Sequence, residues 1–131
     1  MAWGNFLIDI GMDVASGQQL TKFYAVKYSA AEQVTPVTGI TDVIAGFAQF
    51  GVTTAELAKG KGCDCRVLGV TEAVAVGAIA VGNLVTLETD GRVSVYAGAS
   101  GKRIVGKCVG NPSTNAGDRI SLLINPYGTL A

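Results

Sequence analysis

The stretch Leu84–Tyr96 reads LVTLETDGRVSVY, and its register decides the fold class. Val, Leu, Thr and Tyr crowd around Asp90-Gly91, the strongest short-range signal for a β-hairpin. A two-residue loop would pair Thr89 with Arg92, Glu88 with Val93 and Leu87 with Ser94, mixing apolar and polar groups on both faces. A three-residue loop, Thr89-Asp90-Gly91, pairs Glu88 with Arg92, Leu87 with Val93, Thr86 with Ser94 and Val85 with Val95. That register sorts the side chains. One face carries Val85, Leu87, Val93 and Val95, and the other carries Thr86, Ser94 and an opposite-charge pair. A slip of one residue would turn the whole apolar set toward water, so the pattern outweighs turn statistics. The sequence therefore predicts an antiparallel hairpin with one buried and one wet face, Gly91 taking the left-handed position of a G1 bulge.

Outward from this hairpin the chain keeps strand character. Leu20–Ser29 alternates Phe23, Ala25 and Lys27 against Tyr24, Val26 and Tyr28. A turn at AAEQ leads to a short extended piece, Val34–Val37, held out of helix by Pro36. After the polar connection Thr38–Asp42, Val43–Gln49 resumes as strand around Gly46. Thr53-Thr54-Ala55-Glu56 reads as a capping box with room for one helical turn before Gly60. Gly62–Val76 is strand-rich with a bend at Gly69, and Gly77–Gly82 is a loop into the hairpin. Beyond it lie a turn at AGASGK, a strand Arg103–Val109, a loop NPSTNAGD and a closing strand Arg119–Ile124. Met1–Gln19 holds no period for long; it reads as an arm ordered on something else, or as a frayed end with an edge strand. Two echoes run through the chain: Ile44–Ala48 with Ile104–Cys108, and Val81–Val85 with Ala116–Ile120. They predict one β-unit used more than once, in an all-β barrel or sandwich of short antiparallel strands, with residues 1–19 as an extended N-terminal arm and 20–131 as a single domain.

Composition narrows the function. The 131 residues suffice for one core. Hydrophobic residues are 49% of the chain and charged residues only 15%, so a partner is expected to cover part of the apolar surface. Ten basic and ten acidic residues cancel without forming a basic stripe, which gives no footprint for nucleic acid. The uncharged run Ala73–Leu87 contains Gly77, Gly82 and Asn83 and is too short to span a bilayer; the N-terminus lacks the basic region of a secretory signal and carries Asp9. Cys63 and Cys65 share one face of a strand, but with Cys108 and no histidine they fall short of a zinc set and read as reduced thiols. The absence of histidine also rules out triads that use it as the base. The carboxylates are scattered, Gly60-Lys61-Gly62 lacks the remainder of a phosphate-binding loop, and no cofactor is expected.

Taken in order, Phe23…Val26-Lys27, Thr41–Gly46, Gly69-Val70, Gly77–Val85, Thr89–Arg92, Ile104–Cys108 and Ala116–Ile120 resemble the head decoration, or capsid cement, proteins of tailed phages. The resemblance covers Leu20–Ile124. It implies a non-enzymatic β-protein, tulip-like, barrel or sandwich, that is made in the host bacterial cytoplasm and binds the outer surface of the capsid in the virion. Its partner would be the major capsid protein, and it would act as a homo-oligomer, a trimer first among the choices. Trp3, Phe6, Leu7 and Ile8 are the expected capsid contacts, since apolar and aromatic anchors dominate interface energies; packing of the same residues on the chain's own barrel is the competing expectation. A carbohydrate-binding or adhesin-like module built on Tyr24 and Tyr28, and a carboxylate-based hydrolase, are the alternatives.

Overall fold

A computed structural model describes residues 7–98 and 101–131. Its elements are β1 (Ile8–Val14), β2 (Ala25–Ala30), β3 (Gln33–Pro36), β4 (Ile44–Ala48), α1 (Thr54–Ala58), β5 (Cys63–Leu68), β6 (Val70–Val74), β7 (Leu84–Leu87), β8 (Val93–Val95), β9 (Arg103–Cys108) and β10 (Arg119–Leu130). The first five strands close into a barrel in the order β1-β3-β2-β4-β5. The last five form a curled sheet in the order β6-β10-β9-β7-β8.

The β7–β8 hairpin has the expected register, with Val85 opposite Val95, Thr86 opposite Ser94 and Leu87 opposite Val93. The Glu88 N–H donates to the Arg92 carbonyl, the Gly91 N–H donates to the Glu88 carbonyl, and Gly91 has φ 94°. Val85, Leu87 and Val93 are fully buried. The other face is drier than expected: Thr86 is buried, its hydroxyl 3.0 Å from that of Ser94. Glu88 and Arg92 face each other through the backbone, but their side chains form no ion pair. Arg92 turns back to Asp90 within the loop at 2.7 Å, and Glu88 accepts from Lys102 at 2.7 Å and from Ser94 at 2.6 Å. Burial pushes the Glu88 carboxyl up, but Lys102 and Ser94 together outweigh it and hold it below its ordinary value. The turn itself is docked on the barrel. Ala25 donates its N–H to the Gly91 carbonyl, and a Cβ on Gly91 would lie 2.7 Å from the Ala25 oxygen.

The two sheets are two copies of one five-strand unit. Written from the second hairpin strand, the barrel runs β3-β2-β4-β5-β1 and the curled sheet β8-β7-β9-β10-β6, the same order with each index advanced by five. The antiparallel bridge Leu20–Val52 in the first unit has its counterpart in Ile79–Ser113 in the second. The barrel closes through parallel pairing of Asp13 and Val14 with Gln33 and Val34, whereas the second unit reaches only a single parallel bridge, Ala75–Val93. The echo of Ile44–Ala48 in Ile104–Cys108 is this repeat, since β4 and β9 are equivalent strands. At Gly46 the Arg66 carbonyl of β5 passes where a Cβ would stand, and at Gly106 the Leu123 carbonyl of β10 does the same. The other echo is turn chemistry used twice: Gly82 and Gly117, both at φ 92°, launch β7 and β10, which are not equivalent.

The repeat also explains where the strand expected from Leu20 fails. Phe23 donates to the Ala48 carbonyl as Gly82 donates to that of Cys108, and both residues are left-handed, Phe23 at φ 64°. A bulky residue is strained there. Packing holds it: Lys22 and Arg119 each place their charge 4.9 Å from the Phe23 ring centroid, and the strand proper begins only at Ala25.

The barrel is filled by Met12, Val14, Leu20, Val26, Val34, Ala48, Val52, Cys63 and Cys65, with Leu57 of α1 packed against them. That helix has the predicted capping box between Thr53 and Glu56. A second core lies between barrel and curled sheet, where Ile44 and Phe47 of β4 meet Val85, Leu87, Val105, Ile120 and Leu122. β4 therefore serves both cores.

Two boundaries differ from expectation. Within the segment read as an arm, Ile8–Val14 is β1, antiparallel to β5; only Met12 and Val14 alternate inward, and Gly11 and an irregularity at Ile8/Asp9 hide the period. The closing strand runs on past Ile124 to Leu130, its signal interrupted by Pro126 and by a register shift after Ile124. Trp3 and Phe6 lie outside the described residues.

Gly106→Ala is expected to destabilise the protein by about 3 kcal/mol in denaturant unfolding, because the new methyl meets backbone on β10; a loss under about 1 kcal/mol would show that the close approach relaxes freely. Glu32, exposed at φ 57° in the β2–β3 turn, occupies the place of Gly91 in the repeat. Glu32→Gly is expected to stabilise by about 1 kcal/mol, relief of left-handed strain exceeding the entropy of the added glycine. A net loss of stability would contradict the equivalence.

Candidate functional site

β5 and β6 are one run of chain bent at Gly69, which has φ 96°. Inward along this run point Cys63, Cys65, Thr71 and Ala73, all buried, so Asp64, Arg66, Leu68, Val70 and Glu72 share the outer side. Directly paired residues share a face, and the ladder extends this side in both directions. Leu68 pairs with Ile8 of β1. Val70 pairs with Leu123 of β10, Leu123 with Lys107 of β9, and Lys107 with Leu84 of β7. The result is a continuous outer row, Ile8, Leu68, Val70, Leu123, Lys107 and Leu84, crossing both units. Four of its members are large exposed apolar side chains: Ile8 (46%), Leu68 (37%), Leu123 (45%) and Leu84 (44%). Arg66 braces the row by holding Asp9 bidentately, at 2.8 and 3.1 Å, while donating to the Val70 carbonyl at 3.1 Å. Lys107 makes no ion pair among the described residues.

Of the four sequence-expected contacts, Leu7 (43% exposed) and Ile8 stand in the open, Ile8 at one end of this row; Trp3 and Phe6 are outside the described residues. Leu68, Leu84, Leu123 and Lys107 were not singled out from sequence. The legible signal was Leu122-Leu123-Ile124: three consecutive apolar residues in a strand must send one to the opposite face.

Several of the remaining chemistry-bearing groups are engaged within the fold. Asp42 accepts from the Thr38 and Gly39 N–H groups and pairs with Lys27 at 3.0 Å. Burial pushes its carboxyl up, but the Thr38 N–H, Lys27 and Gly39 more than offset this and lower it. Asp118 closes the loop before β10 in the same way, its carboxyl lowered by the Asn115 and Thr114 N–H groups. Glu56 is lowered by Lys61 and by the Thr53 cap. Cys63, Cys65 and Cys108 are free and buried. Cys63 donates to the Phe50 carbonyl at 3.6 Å, and the two neighbouring thiols of β5 act on each other, Cys65 pulling the Cys63 thiol down while Cys63 and burial push that of Cys65 up. Among the described residues no cluster of three or more His, Cys, Asp or Glu is placed to hold a metal ion, and no helix is long and apolar enough to cross a membrane. Tyr28 is exposed on β2, whereas Tyr24 precedes that strand, its Cβ beside the Gly91 turn.

No protein-family model matches the sequence, and neither does any curated protein. Among solved structures, the fold is similar to the N base of the head fiber gp8.5 of bacteriophage phi29, with a TM-score of 0.63 at 15% identity. The likeness covers 96% of this chain and 100% of that one.

Proposed function

We propose that the chain is a structural protein of a phage head, and within that class a decoration or cement protein that binds the outside of the assembled capsid and stabilises it. The observation that carries this reading is the full-length fold similarity to a head fiber base. The exposed apolar row adds a surface of the kind that marks protein interaction sites. In this reading the role is structural and not catalytic, the partner is the major capsid protein of a tailed phage, and the protein acts as a homo-oligomer, with a trimer first. It is made in the host cytoplasm and carried on the outer surface of the virion. The energetics are those of mass action: a ligand that binds only the assembled shell stabilises it by its binding free energy at every site. Residues 1–6, with Trp3 and Phe6, precede β1 directly and would extend the contact made by Leu7 and Ile8.

Co-sedimentation with mature cognate heads tests this, using the full chain beside a version lacking residues 1–6, a deletion that stops short of β1. Saturable binding of the full chain, weakened by the deletion, and heads that withstand more heat before releasing DNA are expected. Absence of binding to any cognate head, with retention on a glycan array instead, would transfer the protein to the carbohydrate-binding class.

A further inference from the structure

We propose that three sulfur groups in the barrel core, the Cys63 and Cys65 thiols and the Met12 thioether, form a binding site for a soft monovalent metal ion of the copper(I) class. Met12 of β1 pairs directly with Cys63 of β5, and Cys65 follows two residues along the same strand. Residues so placed share a face, here the inner one, with cross-strand Cβ atoms about 5 Å apart. All three side chains belong to the barrel core, with exposures of 5% for Met12, 2% for Cys63 and 0% for Cys65. The two thiols lie close enough to act on each other. They are not placed for a disulfide: two residues apart on a strand, their Cβ atoms stand about 6.6 Å from each other, against about 3.8 Å across an S–S bond. A metal ion adds two bonds, each about 2.3 Å for zinc and thiolate, and so bridges sulfurs that a disulfide cannot.

The repeat shows that the fold does not require sulfur at these places. β6 and β10 pair as β1 and β5 do. Counted from the parallel pairs Val14–Val34 and Ala75–Val93, Ala73, Ile120 and Leu122 stand where Met12, Cys63 and Cys65 stand. Those three are fully buried hydrocarbon side chains. The site also has an approach. Met12 and Cys63 line a concavity of about 360 Å³ at the barrel rim, where Gly11 and Gly62 contribute no side chains. Asp13 and Asp64 border it without ion pairs among the described residues, and their charge draws cations toward it. Thiolate and thioether sulfur select soft ions such as copper(I), whereas zinc, which takes four ligands, finds only three donors here. Binding is an exchange. The ion bonds to the Cys63 sulfur, the proton of that thiol leaves to solvent, and Cys65 and Met12 add neutral sulfur lone pairs. The metal keeps its oxidation state, and one positive charge replaces another, so the barrel takes in no net charge.

The test titrates the reduced full chain with copper(I), in the absence of oxygen, against a chromophoric copper(I) chelator, and then follows hydrogen exchange of the loaded protein. One ion per chain is expected, with slowed exchange at Met12 and Cys63 as the ion ties β1 to β5. Cys63→Ser is expected to weaken binding about 100-fold and Met12→Leu, which keeps the side-chain volume, about tenfold. Cys108→Ala, in the second core, is expected to leave it unchanged. Wild-type protein that leaves all the copper(I) with the chelator overturns the proposal. So does binding that Cys108→Ala abolishes, or that neither Cys63→Ser nor Met12→Leu weakens. Should Cys63→Ser fail to fold, Met12→Leu decides by the same measure. Each of these outcomes is independent of head binding.

Discussion

The structure depends on one continuous run of backbone, Cys63–Val74, that belongs to both units. Gly69 bends it at φ 96°, a conformation that costs an L-residue with a side chain about 1–2 kcal/mol, and so lets the same chain leave the barrel as β5 and enter the curled sheet as β6. The bend is tied down by the Ile124 N–H, which donates to the Gly69 carbonyl at 3.0 Å. Two further ties fix the halves. β4 sends Ala48 into the barrel and Phe47 into the second core, and the Gly91 turn of the β7–β8 hairpin docks on Ala25. Because the alternation of side chains passes through the bend without a change of phase, the outer faces of the two units merge into one surface.

The duplication gives this arrangement its asymmetry. The first unit closes fully, through the parallel pairing of β1 with β3. The second stops at the single Ala75–Val93 bridge, and β4 of the first unit supplies apolar cover that closure would otherwise provide. Positions equivalent under the repeat but filled differently show what each site demands. Gly82 takes its left-handed turn freely, whereas Phe23 is held in the same conformation by Lys22 and Arg119. Arg119 opens β10, so the strained residue of one unit is braced from the other.

What was legible in the sequence follows from how local each signal is. The β7–β8 register could be read because side-chain partition and turn chemistry lie within thirteen residues, Leu84–Tyr96. The α1 capping box was equally local. β1 escaped because its inward residues are only Met12 and Val14, and its partners in β5 and β3 are remote in sequence. Phe23 escaped because left-handed strain is paid for by tertiary contacts that no local pattern announces. The repeat showed itself through Gly46 and Gly106, whose need is steric, but strand order did not, since it is decided by pairings between distant segments. At the candidate site, Leu7 and Ile8 were read as contacts because they are apolar residues in the segment taken for an arm. Leu68, Leu84, Leu123 and Lys107 come from four strands, and only the ladder brings them into line.

The central claim is that the face continuous through Gly69 is the one that meets the head. Hydroxyl-radical footprinting of the full chain, free and bound to cognate heads, reads this at single side chains. The account predicts that Leu68, Leu84 and Leu123 lose reactivity together on binding while exposed Tyr28 on β2 keeps its own. Protection of Tyr28 with the three leucines still reactive would contradict it.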